Sequence, residues 1–296
     1  MLTDAEAGTP TLCRLQLGNE LRSLRIALDL TARQVCKKLI WSPSKLSRLE
    51  AGDNTSVEPA EVMALCEIYG ADPELRAQLV GYATVTKTKK DWWQSAEYRP
   101  VIQPGAKAFF GLESTATVLQ TYEAEFVPGL LQTEAYIRAI YKRAHAGMSA
   151  YDVDKLVAIR TTRQEVLHRK KAPLKYTAIL NEAVLRRVIG SPLLMREQLA
   201  HIVDLVESRP NVRVQVVPYA VGVHPGMNGT FFVLHFPERA ALKPLVYLEN
   251  LAAAWVIRQD DAIERYEDAF ADLSALAAGP QESMDMIKTA IEEHRT

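Results

Sequence analysis

Ser44, Lys45, Ser47 and Arg48 bring two hydroxyls, an ammonium and a guanidinium to one short segment of the chain. Such a set holds a polyanion through its charges and reads the edges of bases through its donors. A guanidinium pairs in bidentate fashion with guanine, so Arg48 is the leading candidate for direct readout; Ser44 and Lys45 sit nearer the start of the segment, within reach of a base or the backbone.

Helical periodicity positions these groups. Leu46 and Leu49 fall on one side of the segment and Ser44, Lys45, Ser47 and Arg48 spread over the other, with leucine as anchor and the polar face outward. Ser42 followed by Pro43 reads as an N-cap with proline at the first helical position. Just upstream, Thr31 and Gln34 form a capping box for a first short helix whose buried stripe is Val35 and Leu39. Two short helices joined by a tight turn, the second polar on its outer face, form a unit able to enter the major groove of DNA.

The flanks extend this pair into an all-helical bundle. Leu17, Leu21, Leu24 and Leu28 draw one stripe along a helix from about Arg14 to Asp29. Val62, Leu65, Cys66 and Tyr69 do the same up to Gly70, and Asp72-Pro73 opens a fifth helix carrying Leu75, Leu79 and Tyr82. Between Arg14 and Glu50, eight basic residues stand against three acidic ones, a local excess of +5 in a chain of net charge -1. That patch supplies salt-sensitive affinity for phosphate, with Lys37 as a backbone contact, whereas Glu50 is expected to pair with a neighbouring arginine.

With these residues in place, positions 14 to 83 resemble the Cro/phage-repressor (XRE) class of helix-turn-helix domain, through Ser42-Pro43-Ser44-Lys45-Leu46-Ser47-Arg48-Leu49-Glu50 and the following Gly52. The resemblance implies that Pro43, Ser44 and Arg48 face bases and that Ala32, Arg33 and Gln34 begin a helix lying across the DNA backbone. Two positions depart from the pattern: Ala32 replaces a frequent glutamine, and Ile40 stands where the turn usually has glycine. A β-branched residue is costly in the left-handed conformation, so the turn is expected to differ somewhat.

At 296 residues the chain is expected to hold more than one domain. The organisation read here is a mobile arm over 1–12, the DNA-binding bundle over 13–87 and a larger domain over 88–296. No apolar run approaches bilayer length and the N-terminus lacks the features of a signal peptide, so a cytoplasmic protein is expected. Cys13, Cys36 and Cys66 show no paired spacing, which points to reduced core thiols and to neither a disulfide nor a metal site.

The larger region reads as mixed α/β with a small sheet: helices over Glu113–Tyr122, Glu134–Arg143 and Val153–His168, and strands over Lys175–Leu180, Val212–Val217, Thr230–His235 and Leu245–Leu248. A helix around Met195–Val206 between the first two strands permits parallel pairing, and a strand pair is expected across Pro237–Pro244. Val127-Pro128-Gly129-Leu130-Leu131-Gln132-Thr133-Glu134, Arg160-Thr161-Thr162-Arg163-Gln164, Asn181-Glu182-Ala183, His224-Pro225-Gly226 and Val246-Tyr247-Leu248-Glu249 resemble the C-terminal domain of the WhiJ-like regulators of actinobacteria. That resemblance implies a developmental or secondary-metabolism regulator, with a small acidic protein as a frequent partner.

Arg160, Arg163, Glu182, His224, Tyr247 and Glu249 are the candidates for an effector or partner site. Each also has a structural reading: the arginines pairing with carboxylates that fix helix to sheet, Glu182 capping the next helix, His224 bonded to backbone. No nucleophile elbow, zinc-binding pair, phosphate loop or dinucleotide fingerprint occurs, so neither an enzyme nor a cofactor is expected. The reading as a whole is a homodimeric regulator bound to an inverted repeat in double-stranded DNA. An autoregulatory, antitoxin-like interaction module and a DNA-targeted enzyme are the alternatives.

Overall fold

The computed structural model describes residues 9–53, 56–102, 104–144, 147–238, 242–251 and 253–294. The chain divides into a unit of Met1–Ala96 with Pro237–Leu242, and a second of Glu97–Phe236 with Lys243–Thr296.

In the first unit α1 runs Pro10–Ala27, capped by the Thr9 hydroxyl, which accepts from Leu12 N at 3.2 Å. Pro10 and Thr11 are buried in the helix, so the arm expected over 1–12 does not extend to them; positions 1–8 lie outside the described residues. Leu28 lies past the helix end and is 48% exposed, so the core stripe stops at Leu24. Helices α2 (Ala32–Leu39), α3 (Pro43–Glu50), α4 (Pro59–Tyr69) and α5 (Pro73–Thr88) follow. Leu17, Leu21, Leu46, Leu65 and Leu79 meet in one core with all three cysteines, which are buried and free.

The expected boundary at 87/88 moves to 96/97. Beyond the basic run Lys87–Lys90, Asp91 is buried and accepts from Thr11 Oγ1 at 3.0 Å and from Arg14 at 3.4 Å, and Trp93 is buried too. One desolvated carboxylate thus ties the exit segment to the start of α1.

Ile40, at the end of α2, adopts φ 56° and ψ 43° and is 95% exposed. The left-handed turn is kept without glycine, at about 1–2 kcal/mol for a side chain that buries almost nothing. Ile40→Gly is therefore expected to raise urea stability by about 1 kcal/mol after the entropy of glycine is deducted; a loss would show that the isoleucine itself secures the turn.

The second unit is built on a mixed six-stranded sheet of order β3-β2-β1-β4-β5-β6, formed by β1 (Val118–Glu123), β2 (Lys175–Asn181), β3 (Val212–Val217), β4 (Phe231–His235), β5 (Leu245–Glu249) and β6 (Ala254–Ile257). Strands β1, β2 and β3 pair in parallel and the rest antiparallel, including the expected β4–β5 pair. The other helices are α6 (Pro104–Thr115), α7 (Glu134–Ala144), α8 (Ala150–Gln164), α9 (Glu182–Arg186), α10 (Pro192–Ser208), α11 (Asp260–Leu276) and α12 (Pro280–Glu293). Helix α10 makes the expected connection from β2 to β3.

The helix expected over Glu113–Tyr122 is corrected: α6 ends at Thr115 and the rest is strand β1. As a central strand β1 is covered on both faces, and its mixture of apolar and polar residues shows no clean alternation to separate it from a helix. Tyr122, Ile179, Val233 and Val246 pack with Ile263, Phe270 and Leu273 of α11 on one face. On the other, Phe109 of α6 stacks on Tyr247 at 4.5 Å and meets Phe232 at 4.9 Å.

Candidate nucleic-acid interface

The capping box of α2 forms as expected: Gln34 N donates to Thr31 Oγ1 at 3.3 Å and Thr31 N to Gln34 Oε1 at 2.8 Å. The Gln34 carbonyl is therefore spent on the cap, leaving its amide N–H groups to reach outward. In α3, Ser42 has the N-cap conformation, but its hydroxyl meets Ser44 Oγ at 3.1 Å in place of a helix amide. Leu46 and Leu49 are buried, while Pro43, Ser44, Ser47 and Arg48 are exposed.

Two contacts fix the exit of α3. Arg25 grips Glu50 with Nε–Oε1 at 2.6 Å and Nη2–Oε2 at 2.8 Å, while its Nη1 donates to Leu30 O at 2.8 Å. Glu50 thus pairs with an arginine as expected, and the same guanidinium gathers the end of α1 and the approach to α2. Close by, Gly18 of α1 lies so near α3 that a Cβ there would stand 2.6 Å from the carbonyl oxygens of both Leu49 and Glu50.

The local positive excess is partly consumed. Arg14 is matched by Asp91, Arg25 by Glu50 and Lys45 by Glu61. Arg22, Arg33, Lys37, Lys38 and Arg48 are exposed and, among the described residues, have no carboxylate partner. Lys45 departs from the expected outward face: its ammonium is paired with Glu61 of α4 and lies 4.3 Å above the Trp41 ring.

In the second unit Arg163 forms a bidentate pair with Glu113, at 2.7 and 2.9 Å, and its guanidinium lies 4.8 Å from the Phe110 ring. It joins α8 to α6, not helix to sheet. The carboxylate expected for Arg160 is replaced by neutral partners, Gln132 Oε1 and the Tyr141 hydroxyl, each at 3.1 Å. Gly129 makes room for it, since a Cβ there would stand 2.7 Å from Arg160 Nη1. Asn181, and not the expected Glu182, caps α9, its side chain accepting from Ala183 N at 2.9 Å; Glu182 instead accepts from Tyr219 N at 2.9 Å and pairs with Arg186. The buried His224 places Nε2 3.5 Å from the Asn181 amide, not on backbone, and its ring edge meets Tyr122. Tyr247 donates to Glu249 at 3.0 Å. The six candidates therefore divide: Arg160, Arg163, Tyr247 and Glu249 belong to the side of the sheet that Phe109 covers, while Glu182 and His224 gather at the carboxyl ends of β1 and β2.

Glu123, at the end of β1, is a residue that sequence reasoning missed. It is buried, accepts from Thr230 Oγ1 at 3.3 Å, and burial pushes its carboxyl up to about 8, with Glu249 adding to the rise and Thr230 and Arg160 opposing it. No alternation along Val-Leu-Gln-Thr-Tyr-Glu marks it, because its face carries Thr121 as well as Leu119. A carboxyl that holds its proton more tightly folded than unfolded stabilises the fold less as the pH rises through its unfolded value and up to its folded one. The second unit is expected to lose stability between pH about 4.5 and about 8. Glu123→Gln should flatten that slope in unfolding measured across the range; an unchanged slope would assign it to another group.

Among the described residues no helix is long and apolar enough to cross a membrane, and no His, Cys, Asp and Glu cluster is arranged to hold a metal. No curated protein and no solved structure matches the chain. Residues 16–79 match the model of a helix-turn-helix domain, which covers α2, the turn and α3 with their supporting helices. Residues 106–289, well over half the chain, match the model described as a domain of unknown function, DUF5753. A helix-turn-helix bundle followed by a mixed α/β unit of this kind places the chain in the DUF5753 family.

Proposed function

We propose that this protein is a sequence-specific transcriptional regulator that docks α3 in the major groove of duplex DNA. The observation that carries the reading is the open cationic surface around α3: Arg33, Lys37 and Lys38 of α2 and Arg48 of α3 are exposed and have no carboxylate partner among the described residues, beside the exposed Ser44 and Ser47. Unpaired cations on a rigid helical scaffold release counterions from phosphate, and Arg48 supplies the base contact.

The regulator acts in the cytoplasm as a homodimer on an inverted repeat, with recognition helices about 34 Å apart. The second unit is regulatory and not catalytic, taking a small acidic protein or an effector. In support, Arg163, Arg160 and Glu182 bond to groups in other elements and Tyr247 stacks on Phe109 of α6, so these side chains are engaged in holding the unit together. A ligand there acts on DNA binding by favouring one arrangement of two over another.

Fluorescence anisotropy with labelled duplexes tests the reading. Arg48→Ala is expected to cost about 1–3 kcal/mol at the preferred site and to relax its preference. Lys37→Ala should weaken all sequences about equally and lower the salt slope by about 1. Wild-type protein that associates with no duplex at low ionic strength would overturn the proposal.

A further inference from the structure

Lys45 stands at the third position of α3, in the first turn, where a helix entering a groove meets nucleic acid. Its ammonium is nevertheless drawn back to Glu61 on α4 and rests on the Trp41 ring, with the Lys45 and Glu61 side chains 35% and 29% exposed. The neighbouring cations Lys37, Lys38 and Arg48 are not restrained in this way. A carboxylate and a phosphate oxygen compete for the same ammonium, and Glu61 holds the place that a phosphate would take. Trp41 is packed against the bundle core, so the resting position of the ammonium is itself fixed.

We propose that Glu61 is a latch on Lys45: it keeps the ammonium of the recognition helix out of reach in the free protein and so lowers sequence-independent affinity for DNA. This rests on the DNA-binding reading above. On any duplex, moving Lys45 to a phosphate leaves Glu61 without its partner beside a polyanion. Binding then carries a penalty that only a site with further base contacts offsets. Glu61 is thus a positioning residue that lowers affinity for every duplex alike, which leaves sites without base contacts weakly held.

The experiment compares the full chain with E61Q, K45M and the double variant, each titrated with mixed-sequence duplex at several salt concentrations. E61Q is expected to bind about two- to fivefold more tightly than wild type, the range of a partly exposed ion pair. K45M should lower the salt slope by about 1, and in its background E61Q should lose most of its gain. A gain that survives undiminished in K45M would show that Glu61 merely repels phosphate through space, and absence of any gain in E61Q would show that no latch exists; either result overturns the inference while leaving DNA binding intact. Failure of wild type and all variants to bind would overturn the DNA-binding reading itself, and the latch with it.

Discussion

Glu113→Ala is expected to destabilise the second unit by about 3–5 kcal/mol, the cost of leaving a buried cation without its counter-charge. Glu113 is 1% exposed and takes both arms of Arg163, whose guanidinium is also sandwiched near Phe109 and Phe110. Removing the carboxylate strands a guanidinium among aromatic rings with no acceptor of equal charge. Glu113→Gln, which preserves shape and one acceptor, should lose less, and adding Arg163→Met to Glu113→Ala should recover much of the loss by removing the stranded charge. Hydrogen exchange of the β1 and β2 amides reads the stability of this unit directly. A loss under about 1 kcal/mol would place the pair among weakly contributing surface contacts.

Gly18→Ala is expected to cost the first unit about 2 kcal/mol net. Alanine gains about 1 kcal/mol of helix propensity over glycine, but its Cβ would meet the Leu49 and Glu50 carbonyls at 2.6 Å. Those are backbone atoms, so α1 and the exit of α3 must separate, at a cost toward the upper end of overpacking, about 3 kcal/mol. The same displacement strains the Arg25–Glu50 grip. Urea unfolding should show the loss, and anisotropy titration should show weaker binding to DNA at temperatures where the variant is fully folded. A neutral or stabilising substitution would mean that the two helices separate freely.

The bundle was legible because its signals are local. A capping box, a Ser-Pro start and leucines at helical spacing each act within a few residues, and α2 to α5 appear where those signals put them. Partner choice was less legible, because it depends on residues distant in the chain. Nothing near Lys45 announces Glu61, and nothing near Arg14 announces Asp91. The Arg25–Glu50 pair was half visible: an acidic residue at the end of α3 required an arginine, but several were available.

In the second unit the parallel and antiparallel strand pairs were foreseeable from order and turns, whereas β1 was not. Its Thr-Val-Leu-Gln-Thr-Tyr run has the composition of a strand, yet it sits at the centre of the sheet with a carboxyl at its buried end. A glutamate closing a strand reads as solvent-facing until the fold covers it. For the same reason Arg160 was expected to find a carboxylate, and it found an amide and a phenol.

The chain's three cysteines all belong to the core of the first unit, where burial raises the Cys13 thiol to about 11 and pushes the other two up as well. Sulfhydryls so shielded stay inert to alkylating reagents until the surrounding helices part. Counting modified sulfur atoms by mass over time would therefore clock the opening of the DNA-binding half alone, in the intact molecule, however the other half behaves.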